Sequence, residues 1–146
     1  MIGIIMGSKS DMEVMQAAGA ILDKLGVAYD VEIASAHRQP EKVSAFARNA
    51  ARKYKCIIAG AGKAAHLPGV IAGQTTLPVI GVPIKTSDLG GLDSLLSIVQ
   101  MPSGVPVATV AINGAQNAGL LAAQIVALTD PQVAQAVADY KEALKA

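Results

Sequence analysis

The stretch Met1-Ile2-Gly3-Ile4-Ile5-Met6-Gly7-Ser8-Lys9-Ser10-Asp11 decides the fold. Ile2 to Met6 runs without a polar side chain, the pattern of a strand covered on both faces, and Gly7 ends it. Val14, Ala17, Ala18, Ile21, Leu22 and Leu25 then recur at helical spacing, and Gly26 supplies a C-terminal stop. A doubly buried strand leading into a one-faced helix begins a βαβ unit, and the same alternation continues along the chain. Val27, Tyr29, Val31 and Ile33 alternate with Asp30 and Glu32, which reads as a second strand with one wetter face. Pro40 opens a second helix where its missing N–H costs nothing, with Val43, Phe46, Ala47, Ala50 and Tyr54 facing inward. Cys56 to Ala59 is a third buried strand, followed by a Gly60-Ala61-Gly62 turn and a short helix near Pro68 to Gln74. Pro78 to Ile84 gives a fourth strand, Leu92 to Val99 a short helix, Val107 to Ile112 a fifth strand and Ala115 to Leu128 a long helix. Asp130 and Pro131 have the character of an N-cap and first residue of a last, Ala-rich helix over about 131–145.

Strands and helices in this order predict an α/β protein with three αβα layers. Its five-stranded parallel sheet is joined by right-handed crossovers, and one helix is added at the C-terminus. The order most often met for such a pattern is flavodoxin-like, 2-1-3-4-5, which sequence alone does not fix. With 146 residues and no linker or low-complexity segment, a single domain over 1–146 is expected.

Composition narrows the function. The formal net charge of +1 gives no global pull toward nucleic acid or an anionic membrane, and there is no basic-aromatic face. Charged residues make up 16% of the chain, against about 25% in an ordinary soluble domain. Burial of surface between subunits accounts for so few charges, and the alternative is an Ala- and Gly-rich monomer. Cys56 is the only cysteine, which excludes an intrachain disulfide and a cysteine-rich metal site. Its apolar neighbours mark a buried, inert thiol more than a reactive one. The first residues carry no basic segment, and the apolar runs fall short of the roughly 20 residues that span a membrane. A soluble, cytoplasmic protein is the expectation.

In such sheets ligands bind beyond the C-terminal strand ends, near the switch point between the first and third strands. Three loops leave strands there: Gly7-Ser8-Lys9-Ser10-Asp11, Ser35-Ala36-His37-Arg38 and Gly60-Ala61-Gly62-Lys63-Ala64-Ala65-His66. Both histidines of the chain fall on this face. In the first loop, Ser8 and Ser10 offer hydroxyls beside helix N–H groups, and Asp11 suits ribose hydroxyls; equally, Ser10 or Asp11 caps the helix. In the second, Arg38 can fork two hydrogen bonds to a phosphate, and His37 can exchange protons near neutral pH or serve as a structural residue. In the third, small residues let a ligand approach the backbone, and His66 either contacts it or caps the helix that Pro68 begins. Two histidines without a cysteine or carboxylate cluster make no metal site.

At these loops the chain resembles the N5-carboxyaminoimidazole ribonucleotide mutase family. The matching stretches are Met6-Gly7-Ser8-Lys9-Ser10-Asp11, Ser35-Ala36-His37-Arg38 and Ala64-Ala65-His66-Leu67-Pro68-Gly69. The run Asp93 to Pro102 and the pair Asn117-Ala118 match as well, so the resemblance covers nearly the whole chain in order. It implies a reaction without cofactor or metal, in which a carboxyl group on the exocyclic nitrogen of a phosphorylated aminoimidazole nucleotide moves to ring carbon C4. By that resemblance His37 is the general acid and base, while Ser8, Asp11 and Arg38 bind ribose and phosphate. The substrate-binding set comprises Gly7, Ser8, Ser10, Asp11, Ser35, Ala36 and Arg38, joined by Gly60, Ala61, Gly62, Lys63, Ala65, His66 and Leu67 around the base and carboxyl group. The resemblance also implies a homo-octamer, while the charge balance and the short apolar runs noted above lead us to expect no nucleic-acid or membrane partner.

Two positions depart from the family pattern. Lys63 stands where the family usually has glycine, and Gln39 where threonine is common. Lys63 either points to solvent or turns toward the substrate carboxylate, and a lysine there implies ordinary backbone or some strain. Two rival functions remain for comparison. One is the related carboxylase that uses free CO2, whose third loop is more polar. The other is a non-catalytic flavodoxin-like nucleotide or flavin carrier, disfavoured by the absence of Trp and the scarcity of other aromatics.

Overall fold

A computed structural model describes residues 1–146. The chain alternates as expected: β1 (Ile2–Met6), α1 (Met12–Lys24), β2 (Tyr29–Ile33), α2 (Pro40–Asn49), β3 (Cys56–Gly62), α3 (Leu67–Ala72), β4 (Val79–Ile84), α4 (Leu92–Val99), β5 (Ala108–Thr109), α5 (Ala115–Ala127) and α6 (Pro131–Ala143). The sheet is five-stranded in the order β2-β1-β3-β4-β5, and every pairing is parallel. This is the flavodoxin-like order, with the switch point between β1 and β3.

Two cores flank the sheet because alternate strand residues point to opposite faces. Ile2, Ile4, Met6, Ile58, Ile80 and Val82 pack with α1, α5 and α6, while Ile5, Ile57, Ala59 and Val79 pack with α2, α3 and α4. Close approach of α1 to α5 requires Gly119, where a Cβ would lie 2.7 Å from the Ala18 carbonyl oxygen. Gly26 follows α1 at φ 72°, the left-handed conformation expected of its stop signal. Asp130 caps α6, its Oδ1 accepting from the Gln132 and Val133 N–H groups at 3.0 and 3.3 Å. No helix is long and apolar enough to cross a membrane. Cys56 is fully buried, and desolvation pushes its thiol up to about 12, so it stays a neutral core residue at ordinary pH.

Three elements differ from the sequence reading. Gly60-Ala61-Gly62 is not a turn: β3 runs through it, pairing Gly60 with Val82 and Gly62 with Ile84. The glycines are there for close approach, since a Cβ on Gly60 would collide with the Met15 thioether. The fifth strand shrinks to Ala108–Thr109, the two residues that pair with Ile80 and Gly81 of β4, its one neighbour. On the opposite edge β2 begins at Tyr29, and Val31 is 44% exposed although it belongs to the apolar set of the alternation. Its other face carries two ion pairs, Asp30 with Lys53 and Glu32 with Lys42.

Candidate active site

Beyond the C-terminal ends of the strands lies a cleft of about 320 Å³, lined by all three loops that the sequence singled out and by Thr86 after β4. The first loop is built on serine. A single 3-10 turn, Lys9–Asp11, precedes α1, and Ser8 caps it by accepting from the Ser10 N–H at 3.3 Å. The two hydroxyls are 3.0 Å apart. Asp11 occupies the N-cap of α1 without a side-chain cap bond, so its carboxylate remains available to the cleft. Desolvation raises the Asp11 pKa above its ordinary value, opposed by the backbone N–H groups of Ser8 and Gly7 and by Arg38. A carboxyl group with a raised folded pKa makes the fold less stable above that pKa than below it.

The second loop is braced from inside. Ser35 is buried, and its hydroxyl accepts from the Arg38 N–H at 3.2 Å. Gln39 closes the same turn: its N–H donates to the Ser35 carbonyl at 2.8 Å, and its Oε1 accepts from the Ser35 N–H at 3.4 Å. The departure at Gln39 thus supports the loop that carries His37. Arg38 reaches back to the first loop, its Nη2 donating to the Gly7 carbonyl at 3.4 Å. That contact uses one nitrogen and leaves most of the exposed guanidinium fork free.

The two histidines meet. His37 Nε2 lies 2.7 Å from His66 Nδ1, with the rings edge to face at 73° and centroids 4.8 Å apart. One nitrogen must donate and the other accept, so the pair shares a single proton along this line. His66 holds the N-cap position of α3 but makes no side-chain cap bond; its ring is committed to His37 instead.

Lys63 adopts φ 53°, the left-handed region that favours glycine, so the strained alternative is the one realised. Its Nζ pairs with Asp88 of the β4–α4 loop at 3.2 Å, with both side chains largely exposed. Relief of backbone strain and loss of an exposed ion pair oppose one another, each worth up to about 1 kcal/mol. Lys63→Gly is therefore expected to move the stability, measured by denaturant titration, by less than about 1 kcal/mol and to leave the Michaelis constant unchanged. A tenfold rise in that constant with the fold intact would place the ammonium on the substrate.

Of the expected binding residues, Gly7, Ser8, Asp11, Ser35, Ala36, Arg38, Ala61, Gly62, Lys63, His66 and Leu67 line the cleft together with His37. Ser10, Gly60 and Ala65 are not on its wall: Ser10 pairs with Ser8, Gly60 sits within β3 and Ala65 is buried behind the loop. Ala64 and Thr86 line the cleft although they are absent from the expected set. Thr86 was detectable, because it directly follows the C-terminal end of a central strand.

A model of the AIR carboxylase family matches residues 1–146. The chain is 59% identical to the N5-carboxyaminoimidazole ribonucleotide mutase of Thermotoga maritima over 145 residues, covering 99% of this chain and 85% of that protein. It is 58% identical over 144 residues to the Haemophilus influenzae protein of the same name, covering 97% and 88%. It is also 56% identical to the phosphoribosylaminoimidazole carboxylase of Schizosaccharomyces pombe, of which it spans 26%. Among solved structures, Treponema denticola PurE superposes with a TM-score of 0.90 at 32% identity, covering 99% of this chain and 90% of that one.

Proposed function

The chain belongs to the AIR carboxylase family, and from that premise we propose that it is an N5-carboxyaminoimidazole ribonucleotide mutase, an isomerase of purine synthesis. It moves a carboxyl group from the exocyclic nitrogen of a phosphorylated aminoimidazole nucleotide to carbon C4 of the ring. Support comes from relatives of that name at 54–59% identity that match nearly the whole chain.

The observation that carries the chemistry is the 2.7 Å contact between His37 and His66 in a cleft that Ser8 and Arg38 also line. In this reading Ser8 and Arg38 hold the phosphate, Asp11 accepts from the ribose hydroxyls, and the 60–67 segment surrounds the base. The carbamate C–N bond breaks as His37 delivers a proton to the nitrogen, which leaves CO2 and the aminoimidazole. The enamine-like C4 then attacks CO2, and its proton returns to His37, so the imidazole ends as it began. His66 holds the His37 ring and selects which nitrogen carries the proton. Small residues at Ala61, Gly62 and Ala64 let the backbone approach the base closely, which in this reading helps hold CO2 against escape.

A coupled assay that offers the carbamate nucleotide or bicarbonate with the uncarboxylated nucleotide tests the reading. Turnover of the carbamate supports the mutase. Turnover with bicarbonate alone would move the protein to the carboxylase reading, whose name some relatives of similar identity carry.

We also propose a cytoplasmic homo-octamer. Helix α4 buries Ser94 and Ile98 in the fold, yet leaves Leu92, Leu96 and Val99 together 53%, 48% and 45% exposed. A helix of that kind is ordinarily covered on both sides. Light scattering at micromolar concentration is expected to return eight times the chain mass, and a monomer or dimer mass would contradict it.

A further inference from the structure

Lys42 takes no part in the reading above, yet it stands where the loop of His37 leaves the sheet. That loop, residues 34–39, joins the end of β2 to the start of α2. Its internal bonds, from Ser35 to Arg38 and Gln39, shape the turn. At its base Ala34 faces inward, donating its N–H to the Met6 carbonyl at 2.9 Å. Successive residues of a strand turn their backbone groups to opposite sides, so the Ile33 carbonyl faces the open edge of β2, where no strand lies to pair with it.

Lys42 fills that place. Its Nζ donates to the Ile33 carbonyl at 2.9 Å and pairs with Glu32 Oε1 at 2.7 Å. These are the only polar bonds that join β2 to α2. Helix side chains lean toward the N-terminus, which carries the ammonium back from the third residue of α2 to the end of β2. A cation in the first turn faces the positive end of the helix dipole, so the helix itself gains nothing from it. Glu32 offsets that charge, and an exposed ion pair of this kind adds little stability. The bond to the edge carbonyl is what remains to account for the lysine.

His37 sits inside the span that this bond closes, between Ile33 and Lys42. Its ring has to keep the 2.7 Å contact with His66, which a different loop carries. We infer that Lys42 is a positioning residue for His37: by clamping the first turn of α2 to the last carbonyl of β2, it sets the direction in which the imidazole enters the cleft. The consequence for turnover rests on the mutase reading.

Steady-state turnover of the carbamate nucleotide, read beside a melt and the NMR spectrum of 13C-labelled histidine rings, tests it. The chain has two histidines, so the labelled spectrum reports on this pair alone. Lys42→Met keeps the apolar stem and removes the ammonium. It is expected to lower kcat about fivefold to twentyfold, less than removal of the acid–base group, because a displaced imidazole still transfers protons. The ring resonances of His37 and His66 are expected to shift with it. Lys42→Arg can still donate to the carbonyl and is expected to stay within about twofold of wild type, as is Glu32→Gln, whose amide oxygen still accepts from the ammonium. Lys42→Ala replaces the methionine variant should that one fail to fold. Wild-type kcat and ring resonances in the methionine variant, even with a lowered thermal midpoint, would overturn the inference and leave Lys42 a brace of the fold alone. An arginine variant as impaired as the methionine one would overturn it too. Wild type that does not turn over the carbamate nucleotide sinks the mutase reading, while the ring resonances still decide whether Lys42 aligns the histidine pair.

Discussion

His37→Asn is expected to lower kcat at least about a hundredfold, the usual contribution of a general acid–base group, which corresponds to about 2.7 kcal/mol of barrier. Asparagine can occupy the same place and still hydrogen-bond to His66 Nδ1, but it cannot take up and return a proton. His37 is exposed on a loop whose shape is set by Ser35 and Gln39, so the fold does not depend on its ring. The thermal midpoint and the affinity for the nucleotide product should therefore stay near wild type. Steady-state turnover with the carbamate nucleotide, read beside a melt and a titration, separates the two effects. Near-normal turnover would remove His37 from the chemistry and leave its contact with His66 as a structural bond.

Arg38→Ala is expected to weaken the phosphorylated product by about 1.5–3 kcal/mol, roughly tenfold to 150-fold, the scale of a lost charge-assisted hydrogen bond. The corresponding nucleoside, which has no phosphate, should bind the variant and the wild type alike. The guanidinium also spans to the Gly7 carbonyl, so some loosening of the first loop accompanies the substitution. Such loosening would act on both ligands equally, and the comparison between them isolates the phosphate contact. Equal weakening of nucleotide and nucleoside would mean that Arg38 shapes the loop and does not touch the phosphate.

The amino-acid sequence determined what depends on near neighbours in the chain. The unbroken apolar run of β1, the helical spacing of Val14 to Leu25, the stop at Gly26 and the Asp130 cap are all local patterns, and each stands in the structure where its pattern placed it. The three polar loops were legible for the same reason: a break in apolar periodicity after a buried strand marks the edge where ligands bind. Family membership was legible as well, because the matching stretches fall on those loops.

Only the tertiary structure decided what depends on residues far apart in sequence. Gly60 and Gly62 have the composition of a turn, yet Met15 of α1 and Thr86 after β4 press where their side chains would be, and both stay in β3. The fifth strand is cut to Ala108–Thr109 because only these two residues meet β4, and how far two strands pair is not revealed by the residues of either alone. His37 and His66 are 29 positions apart, and no spacing rule joins them; the 2-1-3-4-5 order does, by setting the β2 and β3 loops on either side of β1. The bond from Lys42 to the Ile33 carbonyl is likewise invisible in sequence, since it is the strand order that leaves this carbonyl on an open edge. Periodicity reports how a segment meets its surroundings, and the fold supplies the surroundings.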